Sequence, residues 1–89
     1  MPKYVMWGYY CDDVLEKRVP YRQAHLEGLQ VQKAAGTLLT LGPTQDTKMV
    51  FGLYEADHEG IVRQLIESDP YWQHQIWTTY EIREWIQAL

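Results

Sequence analysis

The segment 48–55 constrains the fold of this chain more than any other, because it is apolar on both of its faces. Its residues alternate as a strand would, with Val50 and Tyr54 on one side and Phe51 and Leu53 on the other. A strand of this kind has to be covered from both sides, since large exposed apolar surfaces usually mark a contact with something else. The chain therefore needs a sheet whose two faces are both covered.

Two helices are predicted, one before this strand and one after it. The first begins at Pro20, since proline is tolerated at the first helical position, and ends at Gly36, a residue type that commonly follows a helix end. The second is capped by Asp57 and ends at Asp69-Pro70, because the residue before a proline is disfavoured in a helix. The segment 13–19 is either a turn or a short helical lead-in, since the proline interrupts any longer helix.

Three further segments carry the β-branched and aromatic residues that are typical of strands, namely 3–10, 37–41 and 75–85. Together with 48–55 and the helices they give the order βαββαβ, which is typical of the ferredoxin-like plait. We expect an α+β fold, a four-stranded antiparallel sheet with two helices on one face. The helices cover only that face, so we expect the other face to pack against the sheet of a second copy in a homodimer.

The size and composition of the chain restrict it further. Its 89 residues form a single domain, 1–89, without room for a second hydrophobic core. A net charge of −4, with no basic stripe, argues against nucleic-acid binding. The lone Cys11 excludes an internal disulfide and fits a cytoplasmic location. No segment reaches the roughly 20 apolar residues of a membrane helix, so we expect no membrane partner.

His25 and Asp69 are the residues best suited to chemistry. His25 shares a helix face with Leu26 and Leu29, so we expect it to be partly shielded from water. A shielded imidazole suits general acid/base catalysis, and a carboxylate beside it would orient the ring. Asp69, at the end of the second helix, is a candidate for that carboxylate. A structural histidine and a simple helix stop are the alternatives, and the residues alone leave them open.

Four short motifs, in this order, resemble the YCII-related domain family: Arg22-x-x-His25-Leu26, Gly36-x-Leu38, Gly42-Pro43 and Asp69-Pro70-Tyr71. The resemblance covers most of the chain. It implies a dimeric ferredoxin-like α/β protein, related to muconolactone isomerase-type proteins, in a family mostly without assigned activity. It also implies that His25 and Asp69 form a catalytic dyad, as is thought for a chlorohydroquinone dehydrochlorinase of the family. The same resemblance places Arg22, Tyr71, Gly42 and Pro43 around the substrate.

Two hypotheses of function follow. The first is an enzyme of lyase or isomerase type, in which the dyad acts on a small aromatic or acidic substrate. Arg22 would then bind a carboxylate or phenolate of that substrate, or else it pairs with an acidic neighbour. The second is a non-catalytic dimeric domain that binds a small ligand or a partner protein. The sequence names neither the substrate nor the reaction.

Other features point to no separate site. We expect no cofactor and no metal, since the histidines fit no metal-ligand spacing. An RNA-binding plait would need basic residues within 49–54, and none is present there. The large aromatic residues are more typical of packing than of a stacking pocket. Candidates for the lining of the dyad site are Tyr9, Tyr10 and Tyr21.

Overall fold

The computed structural model describes residues 1–89 as a four-stranded antiparallel sheet with helices on one face. The strands are β1 (Lys3–Tyr10), β2 (Leu38–Pro43), β3 (Met49–Glu55) and β4 (Trp77–Trp85). Their order across the sheet is β2-β3-β1-β4. This is the ferredoxin-like arrangement, so the predicted fold is confirmed.

The helices are α1 (Val14–Lys17), α2 (Arg22–Ala34), α3 (Glu59–Ser68) and α4 (Pro70–Gln73), with a 3₁₀ turn at Val19–Tyr21. Of the two alternatives for the segment 13–19, the structure shows the short helical lead-in. None of the helices combines the length and the hydrophobicity that a membrane span requires.

Both long helices begin later than predicted. Pro20 lies in the 3₁₀ turn, and α2 begins at Arg22. Asp57 does not cap α3, because His58 occupies the cap position and no side chain bonds to the helix end. The apolar stripe of α3 is as predicted, since Val62 and Ile66 are buried against the sheet.

The helix α4 was not predicted, and it changes the start of the last strand. The sequence predicts that the chain leaves helical conformation at Asp69, but the Asp69 side chain accepts a hydrogen bond from the Tyr71 N–H and so caps a new helix. Because α4 occupies the following residues, β4 begins at Trp77 and not at Gln75.

A bulge between β1 and β4 controls the direction of the Trp77 side chain. Tyr9 pairs with Thr79 but Tyr10 pairs with Trp77, so Thr78 has no partner of its own. Side chains alternate along a strand, so one extra residue moves the next side chain to the opposite face. Trp77 is therefore turned to the inner face, where it is completely buried.

Candidate active site

The candidate active site lies at the end of the sheet where β1 ends and β4 begins. His25 lies in the first turn of α2, and Asp69 is the single residue between α3 and α4. Tyr10 and Trp77 are paired across β1 and β4 at this end. Segments that are distant in sequence thus meet at one corner of the molecule.

His25 and Asp69 form a buried pair. Nδ1 of His25 lies 2.8 Å from Oδ1 and 2.9 Å from Oδ2 of Asp69. The two side chains are only 5% and 3% exposed. Oδ1 also accepts a hydrogen bond of 2.8 Å from the Tyr71 N–H, which fixes the carboxylate against α4. A carboxylate accepts hydrogen bonds, so this geometry assigns the donated proton to Nδ1 of the ring.

The other ring nitrogen, Nε2, is the one available for chemistry. The hydrogen bonds of the His25 side chain are made through Nδ1 alone. Two polar side-chain atoms are sealed from solvent and have no hydrogen-bond partner, Gln32 Oε1 and Trp77 Nε1. Nε2 of His25 is not one of them. It is therefore not completely sealed from solvent, although the His25 side chain is only 5% exposed. When Nδ1 carries the proton of the neutral ring, Nε2 has a free lone pair and acts as a base.

Two aromatic side chains hold the imidazole ring in place. Tyr71 stacks on it with a centroid distance of 3.6 Å and an interplanar angle of 6°. Trp77 meets it edge-on at 5.3 Å and meets Tyr71 edge-on at 5.7 Å. The ring of His25 cannot turn without displacing these neighbours, so packing fixes the direction of Nε2.

Phenol groups and positive charge surround the dyad. Burial raises the pKa of the Tyr10 and Tyr71 phenols, and the charge of Arg18 offsets this only in part. Both phenols are therefore protonated hydrogen-bond donors at neutral pH. Neither Arg18 nor Arg22 takes part in an ion pair, so their charges are available to a ligand.

The structure brings together three of the predicted site residues, since His25, Asp69 and Tyr71 are in direct contact. Arg22 lies one residue after the 3₁₀ turn on α2, and its charge acts on the Tyr71 phenol. The acidic partner that was the alternative for Arg22 is absent.

Gly42 and Pro43 lie farther away, at the end of the edge strand β2. They are at the same end of the sheet as Tyr10, but β3 lies between β2 and β1. Two strand spacings separate them from β1, which is about 10 Å. Their assignment to the substrate site stays a prediction.

Sequence reasoning missed Arg18 and did not separate Tyr10 from the neighbouring tyrosines. Tyr9 points to the opposite face of the sheet and is half exposed. Tyr21 stacks on His74 with centroids 4.0 Å apart. Alternation along β1 could have separated Tyr9 from Tyr10, whereas no sequence signal places Arg18 near the phenols.

A cleft with a volume of about 350 Å³ adjoins the site. Its lining includes the stacked pair Tyr21 and His74, together with Cys11 and Ile76, which flank Tyr10 and Trp77 in sequence. His25 itself lines none of the 5 cavities, whereas Asp69 lines a separate cavity of about 300 Å³, together with residues of α2 and α3. No group of three or more His, Cys, Asp or Glu side chains is arranged to hold a metal ion.

Known proteins share this fold over nearly the whole chain. A sequence model of the YCII-related domain family matches residues 2–86. No curated protein matches the chain at a significant level by sequence. Among solved structures, 5-chloro-2-hydroxyhydroquinone dehydrochlorinase from Burkholderia phenoliruptrix AC1100, in complex with 2,5-dihydroxybenzoquinone, has a TM-score of 0.83 at 21% identity. That comparison covers 97% of this chain and 95% of the dehydrochlorinase.

Two more distant structures share the architecture. A NIPSNAP domain protein from Burkholderia xenovorans has a TM-score of 0.57 at 15% identity, over 99% of this chain and 95% of the other. An antibiotic biosynthesis monooxygenase has a TM-score of 0.59 at 8% identity, over 100% of both chains. At these identities the likeness concerns the fold.

Proposed function

The chain belongs to the YCII-related domain family, and we propose that it is an acid/base enzyme of lyase or isomerase type that acts on a small oxygen-bearing ring. The buried pair carries this proposal, because both oxygens of Asp69 hold Nδ1 and leave Nε2 of His25 as the base. The similar dehydrochlorinase, by its name, removes HCl from a chlorinated hydroxyhydroquinone. A single well-oriented base is able to begin a reaction of that class.

The proposed reaction starts with proton transfer to Nε2 of His25. The proton comes from a hydroxyl group or an acidic C–H group of the substrate, and the Asp69 carboxylate stabilises the imidazolium that forms. In an elimination, the electron pair left on the substrate forms a double bond as the leaving group departs with its bonding electrons. In an isomerisation, the imidazolium returns the proton to another atom of the ring.

His25→Asn tests the proposal. We expect chloride release from 5-chloro-2-hydroxyhydroquinone to fall by about 10²–10⁴-fold, because asparagine cannot take up the proton. Chloride release measured with an ion-selective electrode reports the rate, and circular dichroism verifies that the variant is folded. His58→Asn is the matched control, since His58 is exposed and lies at the start of α3. Equal rates for His25→Asn and the wild type would contradict the proposal.

A second candidate function, ligand binding without turnover, is favoured by one observation. Tyr71 covers one face of the imidazole, and His25 lines no cavity. On this alternative the wild type binds 2,5-dihydroxybenzoquinone, the ligand of the similar dehydrochlorinase, but releases no chloride from the chlorinated compound. The same assay, run beside a binding titration, separates the two functions.

We also propose that the protein is a homodimer formed through the outer face of the sheet. Phe51 is 48% exposed on this face, beside Leu53 and the Trp7 ring. The pair Lys3–Glu55, with 3.4 Å between the charged atoms, lies at its edge. An apolar centre with a charged rim is the usual anatomy of a protein interface.

A further inference from the structure

The indole N–H of Trp77 is a buried donor without an acceptor. The side chain is completely buried, and Nε1 makes no hydrogen bond of ordinary geometry. Buried donors in proteins are nearly always paired, so an unpaired one calls for a reason. This donor is next to the dyad, with the indole ring edge-on to His25 at 5.3 Å. The bulge at Thr78 is the feature that turns it inward.

Tyr10 is the group that this N–H faces. The two residues are paired across β1 and β4. Burial raises the pKa of the Tyr10 phenol, and the indole N–H of Trp77 opposes that rise. The geometry between this N–H and the phenol oxygen nevertheless falls outside that of a hydrogen bond. A small rotation of the phenol would close the bond. The phenol oxygen would then accept from Trp77 while its own hydrogen points elsewhere.

The surroundings of the Tyr10 hydroxyl favour an anionic oxygen as its acceptor. The side chain is half-buried, and its hydroxyl makes no hydrogen bond within the protein. Arg18, which has no ion-pair partner, acts on this phenol and on the Tyr71 phenol more strongly than the opposite charge of Asp69 does. Tyr10 itself lines no cavity, but Cys11, the next residue, lines the 350 Å³ cleft, which is large enough for a small ring.

We propose that the Tyr10 hydroxyl donates a hydrogen bond to an anionic oxygen of a ring substrate, and that Trp77 positions Tyr10 by donating its indole N–H to the phenol oxygen. This inference rests on the proposed function and names its substrate class, a small ring with a phenolate or enolate oxygen. Negative charge develops on that oxygen when His25 takes a proton. Donors that are already in place stabilise such charge without reorganisation.

Binding of 4-nitrocatechol, whose phenolate absorbs visible light, tests the role of Tyr10. We expect Tyr10→Phe to weaken binding by about tenfold or more, because a hydrogen bond to a charged oxygen is lost. Tyr9→Phe, on the same strand but the opposite face, is the matched control and should bind as the wild type does. 4-Nitroanisole, which has no ionisable oxygen, should bind both proteins equally.

Trp77→Phe tests whether the indole acts through Tyr10. It should weaken 4-nitrocatechol binding in the wild-type background and have no effect in the Tyr10→Phe background. Trp77→Phe also opens space in the core, which could itself change binding. A second measurement therefore does not use this variant. The absorption maximum of the bound phenolate should shift between the wild type and Tyr10→Phe, as a hydrogen bond to the probe is removed.

Failure of this inference and failure of the proposed function are distinguishable. The inference is overturned if Tyr10→Phe binds the phenolate as tightly as the wild type, or if the wild type does not bind it at millimolar concentration. His25→Asn should still bind the probe. If chloride release does not depend on His25 while Tyr10→Phe weakens binding, the acid/base function fails and the oxygen-binding role of Tyr10 stands.

Discussion

At the scale of residues, the carboxylate of Asp69 has two partners, and these two contacts fix its position beside His25. Oδ1 caps α4 through the Tyr71 N–H while both oxygens hold Nδ1 of His25. An asparagine at this position could still cap the helix through its amide oxygen. Its NH₂ group would instead donate to Nδ1, which moves the ring proton to Nε2 and removes the base. Asp69→Asn therefore separates the proposed catalytic role of this residue from its structural role.

Much of this residue-scale arrangement was predictable. The periodicity of α2 indicated a shielded His25, and the ordered motifs indicated Asp69 and Tyr71 as its partners. The part that was not predictable depends on Trp77. Its inward direction results from one unpaired residue where β1 pairs with β4. The alternation of apolar and polar residues along a single strand does not show where such a bulge occurs.

At the scale of elements, the close approach of β1 and β4 depends on Gly8. A Cβ atom added there would lie 2.5 Å from the Thr79 carbonyl oxygen, next to the bulge. We expect Gly8→Ala to lower the free energy of unfolding by about 1–3 kcal/mol, because backbone has to move to relieve the contact. Urea unfolding followed by tryptophan fluorescence measures this change.

Gly42→Ala is the matched control for that prediction. A Cβ atom at Gly42 would meet nothing within 4 Å, although this glycine also lies in a strand. The free energy of unfolding of the Gly42→Ala variant should stay the same or rise by up to about 1 kcal/mol, since alanine restricts the conformations of the unfolded chain. Equal losses at the two positions would mean that the contact with Thr79 is not the cause.

The elements differ in how well the sequence predicts them. Long segments with a clear period, such as β3 and α3, are predicted well because many of their apolar residues recur at the spacing of one strand or helix face. The helix α4 has 4 residues, too few to show a period, and it depends on the cap residue Asp69, which the sequence pattern indicates as the end of a helix. Asp57 was wrong as the cap of α3 because an extended residue, His58, comes between it and the helix.

At the scale of the whole molecule, the outer face of the sheet is the surface through which we propose that two copies assemble. Phe51→Asp should convert the proposed dimer into a monomer, because a carboxylate buried at the centre of an apolar interface has no partner. Light scattering during gel filtration measures the mass. Val31→Asp, at a position 70% exposed on α2, is the control and should remain dimeric. A monomeric wild type, or a dimeric Phe51→Asp variant, would contradict the proposed assembly.

The fold of the whole chain was predictable, whereas its assembly was inferred from a face left without cover. The order of apolar segments admits few arrangements, and the structure has the expected one. That β3 is apolar on both faces indicates that something covers its outer side, and Phe51 is indeed exposed there. A second copy is the simplest closed solution because one surface serves both partners.

The protonation pattern of the His25 ring, measured by NMR of the nitrogen-labelled protein at a pH where the ring is neutral, tests the central claim most directly. We predict that Nδ1 carries the proton, in a hydrogen bond to Asp69, and that Nε2 carries none. In Asp69→Asn the proton should move to Nε2 while the protein stays folded. A wild-type ring protonated at Nε2 would contradict the account, because no base would then face the substrate.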